Sequence, residues 1–142
     1  MRWSHLQKLI YELWCPELEL QIHCTAFRAP KTSPSAPSVG RYWVTLDGAT
    51  IWEAPPAWRD DIRDGEISVS ASDVTAVLRA YLDTPREAVF RCNLSGDKWG
   101  VAELMNAADR RIGKTRLREL QDDTIYPAVK RILAKRLSTL SE

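Results

Sequence analysis

The sequence predicts an α+β fold: an N-terminal helix, a three-stranded antiparallel meander, then helices packed on one face of the sheet. Three observations carry that expectation. Asp47-Gly48 stands between RYWVTL and ATIWE, two runs rich in β-branched and aromatic residues, which is the signature of a two-residue type I′ hairpin. Residues 17–28 alternate apolar and polar, as a half-buried strand does. From residue 72 onward the apolar positions recur mainly at helical spacing.

The first helix, residues 2–14, places Trp3, Leu6, Ile10, Leu13 and Trp14 on one stripe. Pro16 ends it, because a residue before proline is biased out of the helical region. In strand 17–28, Leu18, Leu20, Ile22, Cys24 and Ala26 share one side; Glu17, Glu19, Gln21, His23 and Thr25 share the other. Residues 29–40, APKTSPSAPSVG, predict an exposed Pro/Ser-rich loop, longer than the usual connection.

The hairpin sets strand 41–46 against strand 49–53. A two-residue turn pairs Leu46 with Ala49, Thr45 with Thr50, Val44 with Ile51, Trp43 with Trp52 and Tyr42 with Glu53. In that register Tyr42, Val44, Leu46, Ala49 and Ile51 share one face, and Trp43, Thr45, Thr50 and Trp52 share the other. The two indoles then form a cross-strand pair.

Pro55-Pro56 ends the sheet, and 57–62 reads as a single helical turn. Ser72 and Asp73 offer an N-cap to a helix over 72–83, with Val74, Val77, Leu78, Tyr81 and Leu82 on one stripe. Residues 86–94 fit either a short helix or a strand, with the helix preferred. Further helices are predicted over 99–112, with Gly113 just past its end, and over 114–121 and 125–140. At 142 residues the chain is expected to form one domain.

Composition excludes more than it assigns. A net charge of +1 argues against a surface built wholly for nucleic acid, and no run approaches the roughly 18 apolar residues of a membrane span. The acidic opening MRWSHLQKLIYELWCPELE does not read as a signal peptide. Three cysteines in no disulfide framework fit a reducing cytoplasm.

Paired metal ligands at short spacing are missing from the pattern of His5, Cys15, His23, Cys24 and Cys92, so the expectation is no metal and no cofactor, with structural cysteines. Ser95-Gly96 lacks the context of a nucleophile elbow, and the glycines are too scattered to cradle a phosphate. No catalytic residues are assigned.

Two stretches remain as binding candidates. Trp43, Trp52 and Trp58, flanked by Arg41 and Arg59, would form an aromatic and basic patch of the kind that dominates protein interfaces; the alternative is that these rings are buried bulk. Arg110, Arg111, Lys114, Arg116 and Arg118 lie within nine positions, and residues 86–142 carry a net charge of +4 against −3 for residues 1–85. Helices meeting at Ile112-Gly113 could present those side chains to phosphates. The competing reading is a solvated corner with Asp109 pairing an arginine.

MRWSHLQKLIYEL, QIHCTAFR, RYWVTL and DKWGVAELMNAADRRIGKTRL resemble, in that order, a family of small bacterial proteins of uncharacterised function. The resemblance implies a bacterial cytoplasmic accessory protein and supplies no catalytic residues. Together these readings favour a non-enzymatic module that binds another protein, as a toxin-neutralising or regulatory partner. A nucleic-acid-associated protein working through 110–118 is the alternative.

Overall fold

A computed structural model describes residues 2–28, 38–54 and 72–140. Its order is helix α1 (Trp3–Leu13), a 3-10 turn (Pro16–Leu18), strands β1 (Leu20–Arg28), β2 (Ser38–Leu46) and β3 (Ala49–Ala54), helix α2 (Ser72–Asp83), a second 3-10 turn (Arg86–Ala88), then helices α3 (Val101–Ala108), α4 (Lys114–Asp123) and α5 (Pro127–Leu140). The strands form one antiparallel sheet in the order β1-β2-β3. The architecture is the α+β arrangement expected.

One core joins the sheet to the helices. Leu20, Ile22, Tyr42, Val44 and Ala54 come from the sheet; Leu6 and Ile10 from α1; Val74, Val77, Leu78 and Tyr81 from α2; Leu104 and Met105 from α3; Leu117 and Leu120 from α4; Ile132 and Leu133 from α5. In α1, α2, β1 and β2 these lie on the stripes that the sequence periodicity marks, and burying each such side chain contributes about 1.5–3 kcal/mol. Helix α1 also guards the exposed edge of β1. The Tyr11 hydroxyl accepts the Ile22 N–H at 3.0 Å, and the Ile22 carbonyl accepts from Gln7 at 2.6 Å and from Tyr11 at 3.2 Å. An edge strand tied to side chains in this way cannot pair with another chain at that point.

The turn is as the sequence dictates, with Asp47 at φ +53° and Gly48 at φ +84°. Leu46 pairs with Ala49 and Thr45 with Thr50. Beyond them the expected register fails: Val44 faces Trp52, Trp43 faces Glu53 and Tyr42 faces Ala54. Ile51 is the extra residue of a β-bulge. Strict alternation would send one of Ile51 and Trp52 outward, whereas the bulge lets both pack against the core. The predicted Trp43–Trp52 pair therefore does not form, and the indoles lie on opposite faces.

Other boundaries move for local reasons. Strand β1 begins at Leu20, not at residue 17, because Pro16 opens a 3-10 turn and Glu19 takes a left-handed φ of 51°. Residues 38–40 are strand, not loop, since Ser38, Val39 and Gly40 pair with Arg28, Phe27 and Ala26. The rest of the predicted loop and the turn at 57–62 lie outside the described residues.

Only Arg86–Ala88 of the expected 86–94 helix coils; after it, Asn106 takes the Val89 carbonyl and the Arg91 N–H that a helix would have used. Helix α3 covers 101–108, not 99–112. Gly100, at φ +74°, precedes it, and Asp97 caps it by accepting the Val101 and Ala102 N–H groups at 2.9 Å each. Asp109 leaves it in an extended conformation, and Gly113 serves as N-cap of α4 instead of closing α3.

Candidate functional site

Alternation along β1 and β2 sends His23, Arg41, Trp43 and Thr45 to the sheet face away from the buried Ile22, Tyr42 and Val44. His23 sits opposite Trp43, and their rings stack with centroids 5.0 Å apart and planes 22° from parallel. The Arg41 guanidinium lies 4.4 Å from the Trp43 ring centroid and donates to Glu53 at 3.1 Å. Arg41 and Trp43 are thus together, as the sequence suggests, but each already holds partners from its own sheet. Trp58 and Arg59 lie outside the described residues.

The bulge carries Trp52 to the other side. Its indole N–H donates to the Trp99 carbonyl at 3.1 Å, tying β3 to the segment before α3. Beside that bond runs a groove of about 370 Å³, walled by Ile51, Trp52, Trp99 and Tyr126 and flanked by Glu53 and Lys98. Gly100 fits here because a Cβ would come within 2.6 Å of the Tyr126 ring. Ile125, next to Tyr126 in the chain, is 77% exposed, the most exposed large hydrophobic among the described residues. Of the described members of the sequence-predicted patch, Trp52 belongs to this groove and Arg41 and Trp43 do not. Trp99 and Tyr126 went unmarked because they lie far from the hairpin in sequence.

The basic segment divides into different environments. Arg110, Lys114 and Arg118 are exposed. Arg116 lies over the Phe90 ring at 5.2 Å. Arg111 is committed inward: its Nε and Nη2 donate to the Asp109 carboxylate at 3.0 and 2.8 Å, and its backbone N–H adds a bond at 2.9 Å. Asp109 does pair an arginine, as the competing reading held, and Arg110, Lys114 and Arg118 stay solvated, but the Asp109 carboxylate itself is fully buried.

Asp109 is the hub of a polar network invisible to spacing. The Tyr81 hydroxyl donates to it at 2.7 Å and accepts from Asn106 at 2.9 Å. Burial alone would raise the Asp109 carboxyl, but the bonds from Arg111 and Tyr81 outweigh it and hold the group below the usual carboxylate range. Burial and the adjacent Asp109 carboxylate push Tyr81 far above an ordinary phenol. The Tyr42 hydroxyl, buried against Thr75, is pushed up to about 12. None of these groups is poised near neutrality, where a general acid or base works best.

Cys15, Cys24 and Cys92 are free thiols, each raised chiefly by burial and so poorer nucleophiles than an exposed thiol. Among the described residues no group of His, Cys, Asp and Glu is arranged to hold a metal, and no helix is long and apolar enough to cross a membrane.

Fold and groove define a helix-backed three-stranded sheet with an aromatic groove beside β3. The SF0329 protein family matches residues 2–64, which take in α1 and all three strands, and this supports the resemblance to a small conserved family of unknown function. The DKWG and DRRIGK blocks lie beyond the matched residues. No curated protein and no solved structure matches the chain.

Proposed function

We propose that this is a non-enzymatic bacterial accessory protein of the cytoplasm that binds another protein, in a toxin-neutralising or regulatory role. The observation that carries the reading is the aromatic groove beside β3. Among the described residues nothing pairs with the outer edge of β3, so an extended partner segment can add as a fourth strand. An apolar side chain of that segment then enters between Trp52, Trp99 and Tyr126, while Ile125 extends the apolar contact. Tryptophan and tyrosine in a partly enclosed groove are the residues that supply most binding energy in protein interfaces. The basic segment supports a nucleic-acid reading less well, since Arg111 is held by Asp109 and Arg116 by Phe90.

Ile125→Asp is the test, because a residue this exposed is replaced with little effect on folding. In affinity capture from extract, followed by measured binding to the captured protein, we expect Ile125→Asp to weaken binding at least tenfold, with Arg118→Glu close to wild type. A partner that tolerates Ile125→Asp, or is released by nuclease, contradicts the reading.

A further inference from the structure

Ile125 is held outward by its neighbours. Thr124, which follows α4, is buried, and its N–H donates to the Leu120 carbonyl at 2.9 Å. Its hydroxyl accepts the Tyr126 N–H at 3.3 Å. Tyr126 packs its ring against Gly100, and its carbonyl accepts the Lys130 N–H at 3.0 Å, which anchors the start of α5. With both flanking residues fixed, the 77% exposure of Ile125 is that of a set projection, not of a frayed end. A branched apolar side chain held in water gains free energy when another apolar surface covers it.

That projection stands next in the chain to Tyr126, a wall of the aromatic groove. One surface therefore carries a knob and a hole side by side. The rim of the groove is mixed in the same way, with Glu53 and Lys98 among its lining residues. A two-fold interface brings the same patch together from both molecules, so that residue i meets j and j meets i. A patch that pairs a projection with a recess, and an acid with a base, complements its own rotated copy in shape and in sign. Glu53 bonds Arg41 within its own sheet, and a carboxylate has capacity for a further donor.

We propose that, when no partner is bound, the groove is closed by a second copy of this chain in a two-fold dimer. Ile125 of each copy enters between Trp52, Trp99 and Tyr126 of the other, and Glu53 of each meets Lys98 of the other. The inference rests on the reading of the groove as a contact surface and adds its regulation: the second copy and a partner segment compete for the same apolar walls. Contacts this few make an interface at the small end of the range, so the dimer is reversible and set by concentration. A partner has to displace the second copy, and its apparent affinity falls as the chain concentration rises.

The experiment is sedimentation equilibrium of the full chain without partner, over a concentration series up to about 1 mM, with thermal unfolding to check that each variant folds. Wild type is expected to pass from monomer to dimer, and Ile125→Asp to raise the dimer dissociation constant at least tenfold. Lys98→Glu and Glu53→Lys each set like charges against each other at both contacts, so each alone weakens the dimer. An equimolar mixture of those two variants should dimerise at least as tightly as wild type, because every contact then joins opposite charges. Should Glu53→Lys unfold, having lost its bond to Arg41, Ile125→Asp and Lys98→Glu alone decide. A wild type that stays monomeric throughout the series overturns the proposal, as does a dimer that Ile125→Asp leaves intact or a mixture no tighter than its components. Partner capture is scored separately. If capture needs Ile125 while wild type is monomeric, the dimer fails and the partner reading stands; if the dimer needs Ile125 and capture does not, the partner reading fails and the dimer stands.

Discussion

Asp109→Ala is expected to destabilise the fold by about 3–5 kcal/mol, the range for removing one member of a buried ion pair. The size follows from what is stranded. Arg111 loses the carboxylate it is paired with, and the buried Tyr81 hydroxyl loses its acceptor. The same segment also joins α1 to α3, since the Arg110 N–H donates to the Leu13 carbonyl and the Cys15 N–H to Ala108, both at 2.8 Å. Asp109→Asn keeps the shape and an acceptor oxygen, so its cost should be smaller.

The pH dependence has a definite sign. The folded-state pKa of Asp109 lies below its unfolded value, so its contribution is fully present above the unfolded pKa, near 3.9. It is lost as pH falls through the depressed folded value. Urea unfolding between pH 7 and pH 3 should show wild-type stability falling toward the acid end, with a shallower fall for Asp109→Asn. Equal slopes would remove the assigned role.

Arg136→Met carries the second large effect, about 3 kcal/mol, measured by the same unfolding experiment. Methionine matches much of the stem but leaves the carbonyls of Ala107, Asp109 and Ile112 without the guanidinium that now gathers them. Each buried acceptor so exposed costs about 1–3 kcal/mol, partly offset because the buried charge is removed too. Arg136→Lys should not restore the loss, for a single ammonium cannot reproduce a planar fork spread over three carbonyls. A loss under about 1 kcal/mol would show that water serves these carbonyls equally well.

How far the sequence could be read depends on the range of the interaction concerned. Asp47-Gly48 announces its turn because both positive φ values are set within two residues. The stripes of α1 and α2 are periodic, and burial follows them at most positions, with Trp3, Leu13 and Leu82 partly buried. Ile51 marks where local reasoning stops: nothing within the hairpin says that Ile51 and Trp52 both have core to fill, so the bulge was not legible. Asp109 is the second such place. A carboxylate in the run ADRRIGK looks solvated until Tyr81, 28 positions earlier, is brought against it. Arg136 likewise shares α5 with the exposed Lys130 and Arg131, and the end of α3 with the turn after it explains its burial. The groove, built from β3, the segment before α3 and the start of α5, has no local signature, and the hairpin register taken alone places Trp52 on the wrong face.

The bulge decides which aromatic surface the molecule presents, so the sharpest test is an NMR measurement of strand register. An Hα or amide cross-peak pattern pairing Trp43 with Glu53 and Val44 with Trp52, together with a slowly exchanging Trp52 indole proton close to the Tyr126 ring, is the result predicted. Cross-peaks placing the Trp43 and Trp52 rings against each other across the strands would contradict it.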